Sequence, residues 1–207
     1  MKRHAGVLGL GVLGILLSSP VVADDLQAPT VTPDSYVPST VNDASLFGID
    51  EVRIGPAYSN LELPFWNVNA NSHGRLDSIH VDVLFRAPLP QLGWGTLRPE
   101  LGGVINVGGY ESFVHAGLDW HVPLGSTPFY VEADGGVALH NGYLNNAPPG
   151  FHNLGCAGLF NWKLGAGWNI SDHIDVTAQW EHVSNFVFGC TPNAGLNSAG
   201  LVVGWKF

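Results

Sequence analysis

From residue 49 onward the chain alternates apolar with polar or small residues at period two, and this constrains the fold more than any motif does. Period two is the repeat of a β-strand, whose successive side chains point to opposite faces. In residues 78–87, Ile79, Val81, Val83 and Phe85 alternate with His80, Asp82, Leu84 and Arg86. In 112–122, Val114, Ala116, Leu118 and Trp120 alternate with His115, Gly117, Asp119 and His121. In 157–168, Phe160, Trp162, Leu164, Ala166 and Trp168 alternate with Asn161, Lys163, Gly165 and Gly167. The pattern predicts eight strands, at 49–59, 78–87, 97–106, 112–122, 129–139, 157–168, 174–185 and 196–207. An even set of antiparallel strands closes into a barrel without an exposed edge.

Which face lies inside is the next question. A soluble, lipocalin-like barrel buries the apolar face, whereas a membrane barrel turns it to lipid and keeps polar and small residues in the lumen. Only 12% of residues are charged, while 27 glycines, 7 tryptophans and 10 phenylalanines stand out. The polar face mixes histidines, carboxylates and arginines with glycine, which suits a narrow lumen filled by paired charges. Tryptophans fall near strand ends on the apolar face, as interfacial girdles do. The chain ends "GLVVGWKF", with Leu201, Val203, Trp205 and Phe207 alternating up to a terminal aromatic. These features predict an all-β fold, an eight-stranded antiparallel transmembrane β-barrel of the outer membrane, over residues 47–207.

The remainder fits export. Residues 1–23 read as a signal peptide, with Lys2 and Arg3, an apolar run from Ala5 to Leu17, and "VVA" before Asp24. Residues 24–46, rich in Pro, Asp, Ser and Thr, are expected to be a flexible N-terminal segment. Eight basic residues less Lys2 and Arg3 leave six against 17 acidic ones, a mature charge of −11. That excludes nucleic acid as a partner. Cys156 and Cys190 are the only cysteines, and in an oxidising compartment a disulfide is the default, with two free thiols as the alternative. With both termini periplasmic, 60–77, 107–111, 140–156 and 186–195 become outer loops, and a Cys156–Cys190 bond would join two of them.

In the seventh strand, Ile174, Val176, Ala178, Trp180, His182 and Ser184 share the apolar face. Asp175, Thr177, Gln179, Glu181 and Val183 share the other. On the eighth, Asn197 lies on the apolar face at the same outer end. Three polar side chains thus cluster where hydrocarbon is expected, and polar groups there are costly and usually functional. Serine is a weak nucleophile until a base takes its proton, and His182 is placed to do that for Ser184. Same-face residues two apart have Cα atoms roughly 6.5–7 Å apart, which leaning side chains close. Asn197 is placed to orient the imidazole, while Glu181 is sent into the lumen. His80, His115, His121 and His140 read as parts of a polar plug rather than zinc ligands, because no tight metal-ligand spacing recurs. No metal or cofactor is expected.

"HVSN" followed by "PNAGLNSAGLVVGWKF" resembles the C-terminal motif of the PagL-type lipid A 3-O-deacylases, an outer-membrane acyloxyacyl hydrolase family with an eight-stranded barrel. "LRPELGGVINVGG" at 97–109, "HAGLDW" at 115–120 and "GGVALHNG" at 135–142, before "LG" at 154–155, add to the likeness, which covers most of residues 47–207. The resemblance implies hydrolysis of the ester-linked 3-hydroxyacyl chain at the 3 position of lipid A, with Ser184 as nucleophile and His182 as base. It implies Asn185 and Asn193 as oxyanion or supporting residues. The family's third position, an acid in its best-known members, falls on Asn197, and "FVFGC" replaces the small residues that follow "SN". The implied partners are lipid A or lipopolysaccharide and the membrane, and a homodimer is compatible with the fold. The alternative is a non-catalytic small barrel, either a degenerate family member or an adhesin-like structural protein.

Overall fold

The computed structural model describes residues 48–61, 74–87 and 89–207. The expected signal peptide and N-terminal segment lie outside the described residues. The strands are β1 (Gly48–Ser59), β2 (Arg75–Arg86), β3 (Thr96–Asn106), β4 (Phe113–Pro123), β5 (Phe129–His140), β6 (Gly158–Asn169), β7 (Ile174–Ser184) and β8 (Leu196–Lys206). Each pairs antiparallel with its neighbours, and β1 pairs with β8, as in Val52↔Trp205 and Ile54↔Val203, to close the barrel. The bounds agree with the sequence reading to within three residues. The largest difference is at β2, which begins at Arg75 rather than 78, because Arg75 and Leu76 still pair with Ser59 and Tyr58.

The apolar row faces outward on every wall. Leu101, Val114, Leu118, Val131, Val137, Leu164, Leu201 and Val203 are exposed, while Glu51, Arg53, His80, Asp82, Asp119, Lys163 and Glu181 are buried in the lumen. This inversion is the arrangement of a membrane barrel. Exposed Trp94, Phe129, Trp168, Trp205 and Phe207 gather at the end with short turns, which marks the periplasmic side.

The lumen is filled in layers. Near the periplasmic end, Arg53 donates to both carboxylate oxygens of Glu132, at 2.7 and 2.9 Å. Arg98 bridges Glu51 at 2.8 Å and Asp119 at 2.7 Å. Further out, Lys163 reaches across to Glu100 and Asp82, and Glu181 lies 2.7 Å from His115 and 2.8 Å from His80. Glycines make room for these side chains: a Cβ at Gly204 would lie 2.3 Å from Asp175 and 2.5 Å from Glu51.

The outer end of the lumen departs from the expected polar plug. Ala57, Val104, Phe113, Ala138, Leu159, Val183 and Leu196 form an apolar cluster there, closed by Leu154 from the β5–β6 connection. All but Leu154 sit near the outer ends of strands. The cap shields the charged layers from water, which strengthens their pairing.

Candidate active site

Strand parity places the site. Gln179, Glu181 and Val183 of β7 point into the lumen, where Glu181 meets His115 and Val183 joins the apolar cap. His182 and Ser184, one step out of phase, belong to the outward row. Antiparallel pairing sets His182 directly beside Asn197 of β8 and Trp162 of β6, and Ser184 beside Phe160. The cap therefore pins the backbone next to His182: Val183, between His182 and Ser184, has no exposure at all.

His182 Nδ1 lies 2.9 Å from Asn197 Oδ1. A carbonyl oxygen accepts, so Nδ1 carries the proton and Nε2 keeps its lone pair, the tautomer a general base needs. Asn197 Nδ2 is buried and makes no hydrogen bond among the described residues. Glu181, the acid next in sequence, is bound in the lumen by Asn161, His115 and His80.

The site is more enclosed than an outward row implies. His182, Ser184 and Asn197 are only 6%, 7% and 2% exposed. Trp162 stands with its ring centroid 5.9 Å from that of His182 and packs edge-on against Trp180 at 4.5 Å. On the other side the β7–β8 loop comes close at Gly195, whose φ is +61°; a Cβ there would lie 3.0 Å from His182 Cε1. Aromatic walls and the Gly195 backbone enclose the imidazole.

Asn185 and Asn193 meet each other, with Asn185 N–H donating to Asn193 Oδ1 at 3.1 Å. The Asn185 amide donates to Leu154 O at 2.6 Å and Pro192 O at 2.8 Å. Those bonds tie the β5–β6 and β7–β8 loops together, as does Ala194 N–H to Asn153 O at 3.1 Å. Cys156 and Cys190 form the expected disulfide across the same two loops, with Cα atoms 5.8 Å apart. The clasp role of Asn185 was not legible in the sequence, because its partners are backbone oxygens brought near only by the folded loops. Among the described residues, metal-ligand groupings occur as Asp82–Glu100–His115 and Asp119–His121–Glu132, both in the lumen. An apolar groove of about 610 Å³ on the lipid face of β2–β5, lined by Leu101, Gly103, Ile105, Val114 and Leu139, lies on the wall opposite Ser184.

Comparison with solved structures places the fold. The crystal structure of the outer membrane enzyme PagL aligns with 76% of this chain and 99% of its own, at 18% identity and a TM-score of 0.53. The N-terminal β-barrel domain of Pseudomonas aeruginosa OprF follows at 14% identity and TM-score 0.48, covering 77% and 99%. Neisserial surface protein A follows at 9% and 0.46, covering 78% and 99%. No curated protein matches the sequence. The protein is an outer-membrane β-barrel. The profile of the family described as lipid A 3-O-deacylase (PagL) matches residues 65–206, more than half of the chain, and the chain belongs to that family.

Proposed function

We propose that the protein is a serine esterase that hydrolyses the 3-O-linked 3-hydroxyacyl chain of lipid A, working on the lipid-facing side of its barrel wall. One observation carries the reading: in a member of this family, His182 is held by Asn197 at 2.9 Å in the outward row that also bears Ser184. A lipid ester reaches a barrel from outside, so the outward face is the substrate's side.

The chemistry follows from the tautomer. Ser184 Oγ bonds to the ester carbonyl carbon as His182 Nε2 takes its proton. The carbonyl oxygen becomes an oxyanion, which needs N–H donors aimed at it. The imidazolium then protonates the departing sugar oxygen, leaving a 3-hydroxyacyl group on Ser184. A water, deprotonated by Nε2, releases the 3-hydroxy fatty acid and restores the serine. Asn197 Oδ1 holds the ring throughout, but a neutral amide stabilises imidazolium less than a carboxylate does. Asn185 and Asn193 are proposed as oxyanion or supporting residues. Their bonds run to each other and to loop backbone, which favours the supporting role.

The test is Ser184→Ala in purified barrel mixed with lipopolysaccharide, read by mass spectrometry of lipid A. The native chain should remove one 3-hydroxyacyl mass, and the variant should be slower by at least about a thousandfold. Equal release by both sinks the assignment. A second reading, a barrel without turnover, is favoured by the uncharged Asn197 and the enclosed site; it requires that neither protein release fatty acid. A homodimer is checked by the mass of the protein–detergent complex.

A further inference from the structure

We propose that the lumen holds one divalent transition-metal ion of the zinc type, ligated by Asp82, Glu100 and His115. The inference is independent of the esterase reading, because these residues lie on the inner face of β2–β4 and touch none of the catalytic candidates.

Two observations lead to it. The first is geometric. His115 Nε2 lies 3.6 Å from Asp82 Oδ1, and 3.2 Å from Glu100 Oε1, the oxygen that Lys163 also contacts. Two ligands bonded to zinc at 2.0–2.1 Å in tetrahedral array stand about 3.3–3.4 Å apart. The ligand atoms of Asp82, Glu100 and His115 all fall within 4.8 Å of one another. The other ring nitrogen, His115 Nδ1, lies 2.7 Å from Glu181 Oε1. A carboxylate on the far nitrogen is what fixes the tautomer of a metal-bound histidine.

The second is a set of carboxylate oxygens without donors. Asp134 is 6% exposed, and neither of its oxygens accepts a hydrogen bond among the described residues. In the site itself, Glu100 Oε2 and Asp82 Oδ1 are likewise buried without hydrogen-bond donors. A Cβ at Gly117 would stand 3.0 and 3.2 Å from the Asp134 oxygens, so the glycine leaves space in front of them. Lys163 pairs with Glu100 and stands 3.4 Å from Asp82, and neither contact reaches the open oxygens. Neighbouring carboxylates in a water-poor lumen need a cation or a shared proton between them.

The companion grouping fails the same comparison. Arg98 takes Asp119 with two nitrogens, Arg53 takes both oxygens of Glu132, and Arg98 stands 3.4 Å from His121. At the proposed site, Lys163 contacts Glu100 Oε1 and Asp82 Oδ2, to which Gln179 also donates, and Glu100 Oε2 and Asp82 Oδ1 are left open. The imidazole among the donors favours zinc over magnesium or calcium. The ligands come from three strands, so no ligand spacing recurs along the chain.

The test uses the full chain refolded in detergent, stripped with chelator, incubated with zinc chloride and desalted. Elemental mass spectrometry should find one more zinc per chain in the native protein than in His115→Gln. Zinc should raise the Tm of the native protein and leave that of His115→Gln and Asp82→Asn unchanged. Heat-dependent gel mobility shows which variants are folded. Should either fail to fold, Glu181→Gln keeps every ligand and should bind zinc about 10–100-fold more weakly. Zinc content and Tm response equal in native protein and folded variants overturn the proposal.

Discussion

At Asn197 the protein orients its histidine with an amide. The amide oxygen accepts from His182 Nδ1 at 2.9 Å, while its Nδ2 is buried without a partner. An unpaired buried donor costs about 1–3 kcal/mol. Asn197→Asp removes that donor and adds a charge facing the imidazolium that the proposed mechanism forms. We expect turnover on lipopolysaccharide to rise about tenfold or more, since swapping acid for amide in a serine triad has large effects. An unchanged rate would mean that orientation alone sets the base. His182, Ser184 and Asn197 were legible as a trio because strand parity alone decides which side chains share a face. Enclosure by Trp162 and Gly195 was not, because it depends on ring packing and on where the loop returns.

At the scale of elements, the outer loops are held by buried polar bonds as much as by the disulfide. Glu111, between β3 and β4, accepts from His152 N–H at 2.5 Å and lies 3.3 Å from His152 Nδ1, in the β5–β6 loop. Burial alone would push the Glu111 carboxyl up, but the hydrogen bonds from His152 outweigh it and hold it below its ordinary value of 4.5. A depressed carboxyl stabilises the folded loop fully above that ordinary value and loses its contribution as pH falls through the lowered one. Protease cleavage within 141–157 should therefore accelerate on acidification below about pH 4. Glu111→Gln should remove this pH dependence and cost about 1.5–3 kcal/mol of loop stability at neutral pH. A pH profile identical to that of the native chain would place the acid sensitivity elsewhere. The strands were legible to within three residues. This contact was not, because Glu111 and His152 are 41 residues apart and meet only when two loops fold over the mouth.

At the scale of the whole molecule, the barrel is a greasy wall around an ionic core. Arg98 ties Glu51 to Asp119 across the lumen, and all three are nearly or wholly buried. Removing one partner of a buried network leaves charges uncompensated. Arg98→Met should therefore destabilise the barrel by about 3–5 kcal/mol, read as a lower urea midpoint for refolding in detergent. A shift under about 1 kcal/mol would mean that the network adds little beyond a hydrophobic filling of the same volume. The sequence by itself determined the barrel, its inversion and the outward phase of His182, Ser184 and Asn197. These follow from period two, which is local: each residue's face is settled by its neighbours in the chain. The apolar cap, the loop clasp at Asn185, the enclosure of His182 and the cluster around His115 were decided only by the tertiary structure. Closing the sheet sets side chains from distant strands against one another across the lumen and the mouth, and no local period encodes which of them meet.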